Sequence, residues 1–192
     1  MDKYPHLKKH LDSFSHVISS DNKPYGLHRA RKEKFFIGEK IAALRKCADR
    51  PIFSYSDFDC YLSATFYCIK TNKLNLKALT CILNSKLIEF WLRNKGKMQG
   101  SNFQLDAEPL QQIPISIPSE IYQNSLVKIY DRISTILSKN TQANISTLEI
   151  LIDNIVYHLY NLKYTELLMV DPETSISRAE YENFSIENVC LD

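Results

Sequence analysis

The densest run of chemically active side chains lies between Asn22 and Arg50, where nine basic residues stand against three acidic ones. The run includes Arg29, Arg31, Lys32, Lys34, Lys40 and Arg45. Lysine and arginine at this density neutralise phosphates and displace counterions, which gives affinity for nucleic acid without sequence preference. A second set follows between Lys95 and Gln104, where Lys97, Gln99, Asn102 and Gln104 surround Gly96 and Gly100. Asparagine and glutamine amides pair in a bidentate way with adenine, and such groups read base edges. The two sets together suit a face that binds a polyanion; the alternatives are a solvated basic surface and an ordinary surface turn. On a nucleic acid, Arg29, Arg31, Lys32 and Lys34 would take the backbone or major groove, Lys40 and Arg45 would add contacts, and the amides of the Lys97–Gln104 group would suit base edges.

Bond-making chemistry has no comparable support. Only Gly26, Gly38, Gly96 and Gly100 are available. They are too scattered to form a dinucleotide turn, a phosphate loop or the glycine-rich cradle of S-adenosylmethionine, all of which bring several backbone amides to one ligand. The Asn-Pro-Pro-Tyr clamp that holds a flipped base is missing, and Asn22-Lys23-Pro24-Tyr25 reads as a turn. Asp57 and Asp59 are close in sequence, but alternate carboxylates around Phe58 suit a strand end better than a magnesium site. The five histidines (His6, His10, His16, His28 and His158) sit mainly on helix-like segments, where a structural role is expected.

Composition agrees with an ordinary globular protein: 44% hydrophobic and 24% charged over 192 residues. No apolar run approaches the ~18 residues that cross a bilayer, and the N-terminus lacks a signal-peptide core. Five cysteines without a Cys-x-x-Cys pair argue against a disulfide framework or a zinc site; Cys60, Cys68 and Cys81 are expected as reduced core residues. A cytoplasmic location is therefore expected. Charge is uneven: from Asn140 to Asp192 two basic residues face nine acidic ones, which suggests an acidic tail kept apart from the basic face.

The elements that must position these groups follow from periodicity. Leu7, Leu11, Phe14 and Val17 predict a first helix from Pro5 to about Ser20. Arg29–Lys34 is expected as a loop or exposed strand. Ile41–Leu44, Ile52–Tyr55 and Tyr61–Ile69 are β-prone, the last with Leu62, Ala64, Phe66 and Cys68 on its core face. A helix from Asn75 to about Asn94 carries Leu76, Leu79, Leu83, Leu87 and Phe90. The Lys95–Gln104 stretch is expected as a polar loop, followed by a short apolar strand punctuated by Pro114 and Pro118. Two further helices, Ser119–Ser138 and Ser146–Leu162, precede an acidic tail from Asp171 that is expected to be loosely held.

The order of these pieces resembles a known family. Tyr4-Pro5-His6-Leu7 with Leu11 opens the chain, and Pro24-Tyr25-Gly26-Leu27-His28-Arg29-Ala30-Arg31 follows. Then come Lys40-Ile41, Phe53-Ser54-Tyr55 and Tyr61, Leu83-Asn84-Ser85-Lys86, and the Gly96–Phe103 loop. Leu110-Gln111-Gln112-Ile113-Pro114-Ile115-Ser116-Ile117-Pro118 and the closing Leu151–Leu162 helix complete the series. This resembles the target-recognition domain of TaqI-like DNA methyltransferases and type IIG restriction-modification enzymes; type I specificity subunits share the arrangement.

The resemblance implies an α+β fold, an irregular mixed β-sheet with packed helices, followed by a long-helix C-terminal region. It implies a recognition domain over residues 1–118 and a helical region over 119–192. It also implies a prokaryotic protein that reads double-stranded DNA without catalysing a reaction. Its partner would be an adenine-N6 methyltransferase portion, with or without a nuclease, outside this chain. S-adenosylmethionine and magnesium are expected only there, so this chain is expected to hold no cofactor. The alternative is a helical interaction module of a type I-like restriction system, built on the two C-terminal helices.

Overall fold

The computed structural model describes residues 1–17, 32–100 and 102–189. It divides into two compact units, Met1–Phe35 and Phe36–Asp192. In the first, helix α1 spans Pro5–Asp12 and buries none of its residues. A short 3₁₀ turn at Glu33–Phe35 ends the unit. Turns replace the expected continuation of α1 over residues 13–17, and the rest of it, to Ser20, lies outside the described residues.

The second unit holds two small antiparallel sheets joined by one chain segment. Strands β1 (Lys40–Leu44), β3 (Phe53–Ser56) and β4 (Phe66–Ile69) form the first, with β1 in the middle. Strands β2 (Lys46–Cys47), β5 (Lys97–Gln99) and β6 (Asn102–Gln104) form the second, with β6 in the middle. Only Arg45 separates β1 from β2. Its N–H donates to Thr65 O at 2.9 Å and its carbonyl accepts from Leu105 N at 2.8 Å, so one residue ties both sheets together.

The first sheet follows the period-two rule. Ile41 and Ala43 are fully buried, and their partners across the ladders are Tyr55 and Ile69, and Phe53 and Tyr67. Helix α2 (Leu76–Leu83) packs on this face. The expected strand Tyr61–Ile69 is shorter than its β-prone run. Pairing begins only at Phe66, and Tyr61 is exposed. A turn before Phe66, where Phe66 N–H reaches Ser63 O at 3.2 Å, takes the chain out of extended conformation. Of the cysteines, Cys47 and Cys81 are buried, whereas Cys60 and Cys68 are only partly so; all four are free thiols.

The single helix expected over Asn75–Asn94 is two. Helix α2 stops at Asn84 and α3 (Lys86–Lys95) restarts after Ser85. Asparagine and serine divert backbone hydrogen bonds, and both do so here. Asn84 Oδ1 accepts from Phe53 N at 3.1 Å, and its Nδ2 donates to Phe53 O at 2.8 Å and Thr80 O at 3.0 Å. The helix break therefore satisfies both backbone groups of a β3 residue. Ser85 Oγ donates to Ile82 O and accepts from Ile88 N, capping the new helix.

After a short helix α4 (Ala107–Gln111), the Ile113–Pro118 segment is extended but pairs with no strand among the described residues. The expected strand fails because Pro114 and Pro118 have no N–H to offer a ladder. Instead Ser116 N–H donates to the Tyr160 hydroxyl at 3.2 Å, and that hydroxyl donates to Pro114 O at 2.7 Å. Helices α5 (Glu120–Lys139) and α6 (Ser146–Leu159) then pack on α2, adding Leu126, Ile129, Ile152, Ile155 and Val156 to the core that holds Ile41 and Phe53. Residues on both sides of Pro118 thus contribute to one core. The α+β class expected from the sequence is what the structure has.

The acidic tail is not loosely held over its described part. Leu167 of helix α7 (Tyr164–Val170), Tyr181 of helix α8 (Arg178–Glu182) and Ile176 between them are buried around Tyr157. Tyr164 OH donates to Ile176 O at 3.0 Å and Tyr181 OH to Leu162 O at 2.6 Å. Two tyrosines with an apolar ring and a satisfied hydroxyl anchor a segment whose charge alone suggested freedom.

Candidate nucleic-acid interface

The Lys95–Gln104 stretch, expected as a loop, is a hairpin. Strands β5 and β6 pair as Lys97↔Gln104, Met98↔Phe103 and Gln99↔Asn102, leaving Gly100 and residue 101 as a two-residue connection. Gly100 has φ +63, the left-handed backbone that tight hairpin turns of this length demand at their first position. Strand β2 joins the far edge of β6 through Lys46↔Gln104 and Cys47↔Phe103.

This register sorts the side chains by face. Cys47 and Phe103 are buried at 3% and 2% exposure, and Met98 packs against the same core. The Arg93 guanidinium lies over the Phe103 ring, 4.7 Å from its centre. Lys46, Gln104 and Lys97 occupy the opposite face in a row across three strands, with exposed Asn102 beside them. The placement of the Gln99 side chain is outside what the structure describes; its strand position pairs with Asn102.

An acidic side chain stands among these polar groups. Asp106 Oδ1 accepts from Gln104 Nε2 at 3.1 Å, and Asp106 Oδ2 lies 3.4 Å from Lys97 Nζ. The hydrogen bond from Gln104 holds the Asp106 carboxyl below the usual carboxylate range, and the charges of Lys97 and Arg45 add to that. Arg45 itself is half-buried: its guanidinium donates to Ala64 O at 3.3 Å and stacks 5.0 Å from the Tyr67 ring centre. Arg45 thus reaches the site by field and Lys97 by contact.

The sequence-derived site residues are therefore divided. Arg45, Lys97, Asn102 and Gln104 share the second sheet or its junction. Lys32 and Lys34 belong to the first unit and are exposed there, with Lys34 Nζ 5.5 Å from the Phe35 ring centre. Arg29 and Arg31 lie outside the described residues.

Lys40 is a correction. It is fully buried, and its ammonium donates to Gly38 O at 2.6 Å and Phe58 O at 2.5 Å. A cation turned inward onto loop carbonyls is a structural clip and has no face to offer a phosphate. Asp59 serves the same loops, accepting from Gly38 N at 2.7 Å.

Sequence reasoning missed two members. Lys46 counts there only as part of the basic run, and the strand alternation Lys46-Cys47 is the signal that would have placed it outward. Asp106 gives no signal as a site residue, because an aspartate before Ala107 reads as a helix N-cap; its side chain makes no cap hydrogen bond. The charge separation between the basic run and the acidic C-terminal region is also incomplete, since Arg50 Nη2 pairs with Glu149 Oε1 at 2.9 Å.

Among the described residues, no group of three or more His, Cys, Asp or Glu side chains is placed to hold a metal ion, and no helix is long and apolar enough to cross a membrane. Residues 7–115 match the family model of the TaqI-like C-terminal specificity domain. The matched span contains both sheets, the hairpin and Asp106. No curated protein matches the chain.

Proposed function

Because this chain belongs to the TaqI-like C-terminal specificity domain family of restriction-modification systems, we propose that it reads double-stranded DNA with the outer face of the β2–β6–β5 sheet. The row Lys46–Gln104–Lys97 supports this most strongly, because it sets an amide between two cations across a three-stranded sheet. The lysines supply sequence-independent attraction to phosphates, and Gln104 and Asn102 supply hydrogen bonds to base edges. Arg45, braced at the sheet junction, adds positive potential to the same face. The basic residues of the first unit, Lys32 and Lys34, add to affinity.

In this reading the chain is the specificity component of a site-specific DNA adenine-N6 methyltransferase, with or without an endonuclease. It catalyses neither step. S-adenosylmethionine and magnesium act on the methyltransferase and nuclease portion, which is also its protein partner. The work is that of a prokaryotic cytoplasm.

Fluorescence anisotropy of the 192-residue chain with a labelled duplex tests this at several salt concentrations. Contact with about five phosphates gives a log–log slope of about −4 to −5. Absence of binding even at low salt contradicts the reading and favours an interaction module built on α5 and α6.

A further inference from the structure

We propose that Asp106 is a positioning residue that fixes the Gln104 amide as a reader of adenine. The inference rests on the assignment of the β2–β6–β5 face to DNA.

Asp106 stands at the N-cap of α4, where an aspartate ordinarily accepts from the first backbone N–H groups of its helix. It makes no such bond. Both carboxylate oxygens turn to the hairpin instead, Oδ1 to Gln104 Nε2 at 3.1 Å and Oδ2 to Lys97 Nζ at 3.4 Å. The Gln104 hydrogen bond, joined by the Lys97 and Arg45 charges, holds the carboxyl below the usual carboxylate range, so near neutral pH it only accepts hydrogen bonds.

That decides the orientation of the glutamine. An amide facing a carboxylate must present its nitrogen, because its oxygen would be repelled. One N–H of Gln104 is thereby used, and Oε1 with the second N–H remains. One acceptor beside one donor is the complement of the adenine edge in the major groove, which offers the N6 amino group and N7. Guanine offers two acceptors, N7 and O6, and leaves the Gln104 oxygen opposed by an acceptor. Without Asp106 the amide can flip, and the orientation that matches adenine is no longer held.

Removing the carboxylate also takes a negative charge from a surface that meets phosphates. Binding to arbitrary DNA should then tighten while discrimination falls, an opposite pair of changes that a damaged fold does not produce.

The test is selection of bound duplexes from a randomised pool by the 192-residue chain, compared with Asp106→Ala, Asp106→Asn and Gln104→Ala. Non-specific affinity is measured in parallel on a fixed duplex. The wild-type chain should prefer adenine at one position by on the order of ten- to a hundredfold. Gln104→Ala and Asp106→Ala should both lose that preference, and Asp106→Ala should bind the fixed duplex at least as tightly as wild type. Asp106→Asn, which can face either end of the amide, should lose it as well. Adenine preference retained in Asp106→Ala and Asp106→Asn overturns the proposal while leaving the DNA-reading face intact. A wild-type preference at that position for another base also overturns it. Failure of the wild-type chain to bind any duplex removes both the face and the proposal.

Discussion

Asp153 on α6 is a carboxyl that the fold protonates more readily than water does. Its Oδ1 accepts from Lys86 N at 2.8 Å, at the start of α3. Burial pushes its pKa up to about 7 from an ordinary 3.8, the Lys86 backbone N–H and Lys86 charge oppose the rise, and the Asp171 and Glu149 charges add to it. Below about pH 4 the group is protonated in folded and unfolded chains alike and contributes nothing. As pH climbs from 3.8 towards 7, the unfolded chain releases a proton that the folded chain retains, so stability falls; above about pH 7 the full cost is present. At about 1.4 kcal/mol per pH unit the interval gives an upper bound of about 4 kcal/mol. The side chain keeps some contact with solvent, which reduces the figure to about 2 kcal/mol. Asp153→Asn retains an oxygen for Lys86 N–H and removes the titration. Thermal unfolding of both chains between pH 4.5 and 8.5 should show the variant roughly 4–8 °C more stable at pH 8, converging with wild type towards pH 4.5. A variant no more stable than wild type at pH 8, or a gap that does not change with pH, refutes the reasoning.

Other perturbations follow from single contacts. Asn84→Ala strips both backbone partners from Phe53 and should cost about 2–4 kcal/mol in urea unfolding, with β3 amides exchanging faster than those of β4. Gly100→Ala meets no atom within 4 Å but is strained at φ +63, so it should cost about 1 kcal/mol and weaken sequence discrimination more than non-specific DNA affinity. Phe103→Ala empties the buried side of the hairpin and should cost about 3–5 kcal/mol by the same unfolding measurement.

Legibility from sequence tracked the range of the forces involved. Helices α5 and α6 announce themselves through long apolar stripes, because burial of one face repeats every three to four residues. Strands β1 and β3 do so through β-branched and aromatic runs. The hairpin escapes because its strands are three residues each, too short for alternation to stand out; a glycine-led pair of residues between Met98 and Phe103 is the only cue. The break between α2 and α3 depends on Phe53, distant in sequence from Asn84, so no local pattern reports it. Lys40 looks like a surface cation until the carbonyls of Gly38 and Phe58 surround its ammonium. In the same way, the amides and cations of the candidate interface are visible as residue types, whereas the carboxylate that organises them is not.

On the proposed reading, the outer face of the β2–β6–β5 sheet meets DNA. The most direct test compares Lys46→Ala/Lys97→Ala with Lys128→Ala/Lys139→Ala, which removes the same charge from exposed positions on α5. Duplex affinity is measured against salt for both. The sheet double variant should weaken binding and make the log–log slope shallower by about 2, with the α5 variant close to wild type. Equal losses in the two variants, or no change in slope for the sheet variant, would contradict it.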